Sequence, residues 1–158
     1  LENKSCKERK PTKASTEMLL SEIFTTKSIE SFISRNKSDM DVPTLAEHLE
    51  ELCVQKGIKP RDVIKNCDID RFYGAKIFSG KRNNPHRDYI IRLAFGLKLG
   101  YDECQQLLVV AKESKLYPRI PRDAVIIRCL HEKLTCMQAQ ERLYDIGMSL
   151  LGEERERS

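Results

Sequence analysis

Lys56-Gly57-Ile58-Lys59-Pro60-Arg61-Asp62-Val63-Ile64-Lys65-Asn66-Cys67-Asp68-Ile69-Asp70-Arg71-Phe72-Tyr73-Gly74-Ala75-Lys76-Ile77-Phe78-Ser79-Gly80-Lys81-Arg82-Asn83 divides itself into two short helices and a corner. Pro60 is tolerated in the first turn of the leading helix, where its missing N–H would have had no partner. Val63, Ile64 and Cys67 give that helix, near 60–67, an inward face. Ile69 plugs the corner and Asp70 caps a second helix over 70–79, with Tyr73, Ile77 and Phe78 turned inward. Gly80 stops it, and Lys81 to Pro85 form a basic loop. Arg71, Phe72, Ala75 and Lys76 are left on the outward face.

Helical punctuation continues on both sides. Upstream, Thr44 and Glu47 have capping-box spacing, Leu45, Leu49, Leu52 and Cys53 form an apolar stripe, and Gly57 ends the helix. This spacing predicts a surface position for His48. Ser15 or Thr16 is expected to cap a helix bearing Met18, Leu19, Ile23 and Phe24, and a second follows from about Ser28 with Ile29, Phe32 and Ile33. Downstream, helices are expected near 86–98, 102–113, 121–132 and 136–146, and no segment alternates with the period of a strand. The expected organisation is a disordered basic tail at 1–14, a helical pair at 15–38, a central domain at 44–113, a helical-hairpin extension at 114–152 and a disordered tail at 153–158.

Part of that extension repeats the central domain. A shift of 35 residues superposes Arg87-Asp88 on Arg122-Asp123, Ile91 on Ile126, Lys98-Leu99 on Lys133-Leu134, Gln105 on Gln140, Leu108 on Leu143, Ser114 on Ser149 and Leu116 on Leu151. Two copies of a helical hairpin can bury a shared face. The Arg-Asp pairs read as ion pairs within each helix start.

Charge is concentrated where the two short helices lie. Residues 1–55 hold 8 basic and 10 acidic side chains, whereas residues 56–92 hold 10 basic and 4 acidic. A one-signed excess confined to one window suits contact with phosphates better than a merely solvated face. The whole chain, 158 residues with 40% hydrophobic and 33% charged, is that of a globular protein, and the 7 Gly and 6 Pro are too few for a turn-rich β fold. No segment approaches a membrane span, and Leu1 to Ser5 lack a secretory layout. The absence of an initiator Met fits a start inside a longer chain. Cys6, Cys53, Cys67, Cys104, Cys129 and Cys136 include no C-x-x-C pair and read as free thiols of a reducing, cytoplasmic compartment. Cys129, His131 and Cys136 match no zinc spacing, so no metal and no other cofactor is expected. His48, His86 and His131 are scattered and Gly96 and Gly100 cradle no phosphate, so no catalytic residue is assigned and the chain does not read as an enzyme.

Residues 57–83 resemble, without a gap, the helix-turn-helix of the phage-repressor-like (XRE-type) DNA-binding domains. The opening Lys56-Gly57-Ile58, the corner Ile69, Arg71, Tyr73, Ile77 and the close Gly80-Lys81-Arg82-Asn83 carry the likeness. The resemblance implies an all-α fold: a five-helix, lambda-repressor-like domain, flanked here by the N-terminal helices and the C-terminal hairpin. It implies double-stranded DNA as partner, with the helix at 70–79 in the major groove. Arg71, Phe72, Ala75 and Lys76 would face bases, while Lys59, Arg61, Lys81, Arg82 and Asn83 would contact phosphates. It also implies a transcription regulator acting as a homodimer. The sequence departs from that family at four places. Pro60 replaces a polar residue, Ile64 stands where a small Ala lets the helices approach, Asp68 stands where Gly is common, and Gly74 replaces an aliphatic. Ile64 predicts looser or shifted packing. The rival expectation is an interaction adaptor, antitoxin-like or defence-associated, that presents Phe72, Phe78 and Tyr101 to a protein without depending on DNA; the C-terminal helices are a further candidate surface for a protein partner.

Overall fold

The computed structural model describes residues 14–152 and divides the chain into two units, 1–42 and 43–158. The described residues form helices and connecting turns, with no strand among them. The tails expected at 1–14 and 153–158 lie, except for Ala14, outside the described residues.

The first unit is a helical pair, α1 (Thr16–Thr25) and α2 (Ile29–Asn36), capped by the Ser15 and Ser28 hydroxyls. Glu22 joins them, paired with Arg35 at 3.0 Å and accepting from Asn36 Nδ2 at 3.2 Å. Phe32 is buried, but α1 buries nothing: Met18, Leu20, Ile23 and Phe24 are all exposed.

The second unit runs from α3 to α9. In α3 (Leu45–Lys56) the capping box of Thr44 and Glu47 is formed, and Gly57 closes the helix in the left-handed conformation at φ 64°. His48 is a correction to the sequence reading. It is buried at 8% exposure, because Leu45, His48, Leu49 and Leu52 make one broad inward face. Its Nε2 has no hydrogen-bond partner among the described residues.

Helices α4 (Pro60–Asn66) and α5 (Arg71–Phe78) follow, then α6 (Arg87–Gly96) and α7 (Tyr101–Val110). The last stops short of the expected 113 because Lys112 turns left-handed at φ 57°. Helix α4 packs on α5 and α6, and α3 packs on α5 and α7. The hairpin α8 (Pro121–His131) and α9 (Cys136–Asp145) shares one continuous core with these helices, through Ile126, Leu130, Ala139 and Leu143. The expected division at residue 114 therefore falls inside a single packed unit.

The 35-residue repeat is structural. Gln105 bonds the backbone of Leu116 in both directions, and Gln140 does the same to Leu151. The Arg-Asp pairs, however, do not close within each helix start. Adjacent residues on a helix do not face each other. Instead Arg87 pairs with Asp123 and Arg122 with Asp88, each at 3.0 Å. Each Arg also donates to two carbonyls of its own repeat, Ser114 and Lys115 or Ser149 and Leu150. Each Asp accepts a backbone N–H from the opposite repeat, Asp123 from Tyr117 and Asp88 from Gly152. A contact in which i meets j′ and i′ meets j is the signature of a two-fold relation, here between two repeats of one chain.

Candidate nucleic-acid interface

Helix α4 opens with Pro60 at its first position behind an extended Lys59, and ends at Asn66. The turn holds Cys67, Asp68 at φ 55°, buried Ile69 and Asp70, whose carboxylate accepts from the Tyr73 N–H at 3.0 Å. Asp is among the few non-glycine residues that tolerate this left-handed position, so Asp68 does the work of the more usual Gly. The negative charge of Asp70 is spent on helix capping.

The Ile64 departure resolves in an unexpected way. A Cβ built on Gly74 would lie 2.7, 2.8 and 2.9 Å from three side-chain carbons of Ile64. Bulk missing from α5 is supplied by α4. The packing at this point is close rather than loose, and two departures that look independent in sequence form one complementary contact. Gly96 of α6 makes a second close approach, its Cβ position being 2.8 Å from the Val63 carbonyl oxygen.

Arg92 is a residue the sequence reading missed. From α6 it donates to the carbonyls of Cys67 at 3.0 Å and Asp68 at 2.6 Å, and to that of Leu151 at 3.3 Å. Its side chain ties the turn between α4 and α5 to the end of the second repeat. A lone Arg in the otherwise apolar run 90–97 is the signal that could have pointed to it.

On α5, Arg71, Phe72, Ala75 and Lys76 are all exposed and lie on one face by their i, i+3 and i, i+4 spacing. Phe72 is 68% exposed with the Arg71 guanidinium 5.2 Å from its ring centre. Lys59 and Arg61 are exposed at the start of α4, and Lys81, Arg82 and Asn83 are exposed beyond α5. The Arg82 N–H bonds the Lys76 carbonyl, and its guanidinium sits 5.7 Å from the Tyr73 ring centre. Tyr73 in turn stacks at a tilt on Tyr89, 4.9 Å between centres, which anchors the loop side of α5 to α6. None of Lys59, Arg61, Lys65, Arg71, Lys76, Lys81 or Arg82 forms an ion pair among the described residues. The basic loop and the α5 face are adjacent; no hydrogen bond or ion pair links Lys59 or Arg61 to α5.

The other candidates separate. Of Phe72, Phe78 and Tyr101, only Phe72 is exposed; the other two pack half-buried on the core. His86 caps α6, its Nδ1 accepting from the Asp88 N–H at 3.2 Å. Cys53, Cys67, Cys104, Cys129 and Cys136 are free and buried, and burial pushes the thiols of Cys67 and Cys104 up to about 12. Among the described residues no three His, Cys, Asp or Glu side chains are grouped to hold a metal, and no helix is long and apolar enough to cross a membrane. Comparison with known proteins finds no family model, no curated protein and no solved structure that matches this chain.

Proposed function

We propose that this chain is a sequence-specific double-stranded DNA-binding regulator of the phage-repressor-like type, reading the major groove with α5 and acting as a dimer. One observation carries the reading. The outward face of α5 and the loop after it hold Arg71, Lys76, Lys81 and Arg82, all exposed and none ion-paired within the described residues. A fold that neutralises Arg87, Arg92 and Arg122 with internal partners leaves these cations free for an external polyanion. Arg71 suits a bidentate contact to guanine, and Phe72 or Ala75 a thymine methyl. Lys59, Arg61, Lys81, Arg82 and Asn83 suit phosphates, fixing register without reading sequence. The two-fold architecture of such operators calls for a second copy, and the exposed apolar residues of α1 or the C-terminal helices are the available surfaces.

The test is selection from a random duplex pool at about 150 mM salt, with sequencing of the bound fraction. A palindromic motif with half-sites about one helical turn apart is expected. Arg71→Ala should relax specificity at one position at a cost of about 1–3 kcal/mol. Binding without enrichment would confine the basic window to phosphate contact. Failure to bind at low salt would remove DNA and leave the adaptor reading, for which the exposed Phe72 is the anchor.

A further inference from the structure

A cavity of about 580 Å³ opens where the C-terminal ends of α4, α6 and α8 meet the start of α9. Its wall includes Phe95, Leu99, Leu130 and Leu134, and Lys98 and Lys133 are its only ionisable side chains other than a thiol. These six are three pairs related by the 35-residue repeat: Phe95 with Leu130, Lys98 with Lys133, Leu99 with Leu134. The cavity thus straddles the internal two-fold relation, with the Arg-Asp pairs at the N-terminal ends of α6 and α8.

Both lysines are held in a conformation that their residue type does not favour. Lys98 has φ 56° and Lys133 φ 57°. Each sits on a helix-ending corner in which its own N–H bonds the third carbonyl back, Phe95 or Leu130, at 3.0 and 3.1 Å. The next N–H reaches Ala94 or Cys129. Glycine is the usual residue at such a corner. Here each corner fixes a lysine at the mouth of an apolar cavity. Lys98 forms no ion pair among the described residues. Lys133 Nζ lies near Gly100, where its charge helps hold the Glu103 carboxyl below its usual range, but that carboxylate is shared with Lys56 at 2.9 Å.

We propose that this cavity is a binding site for a small amphipathic anion, an apolar body in the cavity with a single carboxylate or phosphate held between Lys98 and Lys133. The volume is within the range of small-molecule sites, and the combination of apolar walls with a few convergent polar groups is their usual make-up. Net positive charge at the mouth selects against cationic and neutral analogues of the same body. Because binding is measured on the protein alone, it stands or falls independently of the DNA reading.

The full chain is titrated calorimetrically with decanoate, decyl phosphate, decanol and decyltrimethylammonium, each below its micelle concentration. One equivalent of an anion is expected to bind saturably, about tenfold or more tighter than decanol or the cation. The preference between decanoate and decyl phosphate identifies the head group. Lys98→Gly with Lys133→Gly keeps both left-handed corners and should reduce anion affinity about tenfold while leaving decanol unchanged. Leu134→Trp, which puts an indole into the space the apolar body would occupy, should weaken binding of all four. Equal affinity for anion and decanol, an unchanged anion affinity in the double Gly variant, affinities unchanged by Leu134→Trp, or no heat up to about 1 mM of either anion would each overturn the site.

Discussion

The contact between Ile64 and Gly74 makes the most demanding prediction, because it reverses the sign of a single substitution. Gly74→Ala places a methyl 2.7–2.9 Å from three carbons of Ile64, and both residues are buried, so Ile64 has little room to retreat. Overpacking of this kind costs about 1–3 kcal/mol, while Ala in place of a mid-helix Gly returns about 1 kcal/mol of propensity. The net in the native background is a loss of up to about 2 kcal/mol. Ile64→Ala alone opens a cavity between α4 and α5 and costs about 2–5 kcal/mol. In that second background the methyl at 74 enters vacated space, so Gly74→Ala should stabilise by about 1 kcal/mol. The coupling between the two sites is then about 1–3 kcal/mol. Urea unfolding of the four proteins of the cycle at 25 °C, followed by far-UV circular dichroism and with unchanged m values, measures it. If Gly74→Ala shifts stability equally in both backgrounds, Ile64 is not what requires glycine at 74, and the complementary contact is refuted.

Four further outcomes are expected. Arg122→Ala leaves Asp88 buried without its charge partner and Arg87→Ala does the same to Asp123, so each should cost about 3–5 kcal/mol by the same urea assay. Burial lowers the pKa of His48 below the ordinary imidazole value, with nearby Glu51 opposing. The unfolded chain then binds the proton more tightly, so stability is full above about pH 6.5 and declines as pH falls towards the folded value; His48→Leu should flatten this segment of a melting-temperature profile. Lys81→Ala should weaken all duplex sequences alike and flatten the salt dependence of binding by about one unit, in contrast to the position-specific loss from Arg71→Ala. The five described thiols should resist a thiol reagent in the native state, reacting at the rate of opening, with Cys67 and Cys104 slowest.

Local rules sufficed for much of the fold. Ser15, Thr44 and Asp70 each cap the helix that follows. Gly57 and Gly80 take the left-handed turns. These signals depend on a few adjacent residues, and so did the outward face of α5, which follows from helical spacing once Ile77 is known to be buried. What escaped were facts settled between distant segments. His48 resembles a surface residue until the breadth of the α3 face is known. Ile64 and Gly74 each look like a fault, and only their contact shows that one answers the other. Arg87 and Asp88 attract as sequence neighbours, yet helix geometry separates them and the opposite repeat supplies the partner. The lysines at 98 and 133 carried no functional signal, because the cavity they line does not exist until α6 and α8 are side by side.

The crossed Arg–Asp arrangement also sets a timetable for synthesis. Asp88 emerges early, but its guanidinium comes from residue 122 and its backbone N–H from residue 152. Arg122 in turn waits for the carbonyls of Ser149 and Leu150. A nascent chain that has reached only residue 120 carries α6 with a carboxylate ready for burial and nothing to bury it against. Neither repeat completes its buried ion pair alone, because each carboxylate takes both its guanidinium and its backbone N–H from the opposite repeat.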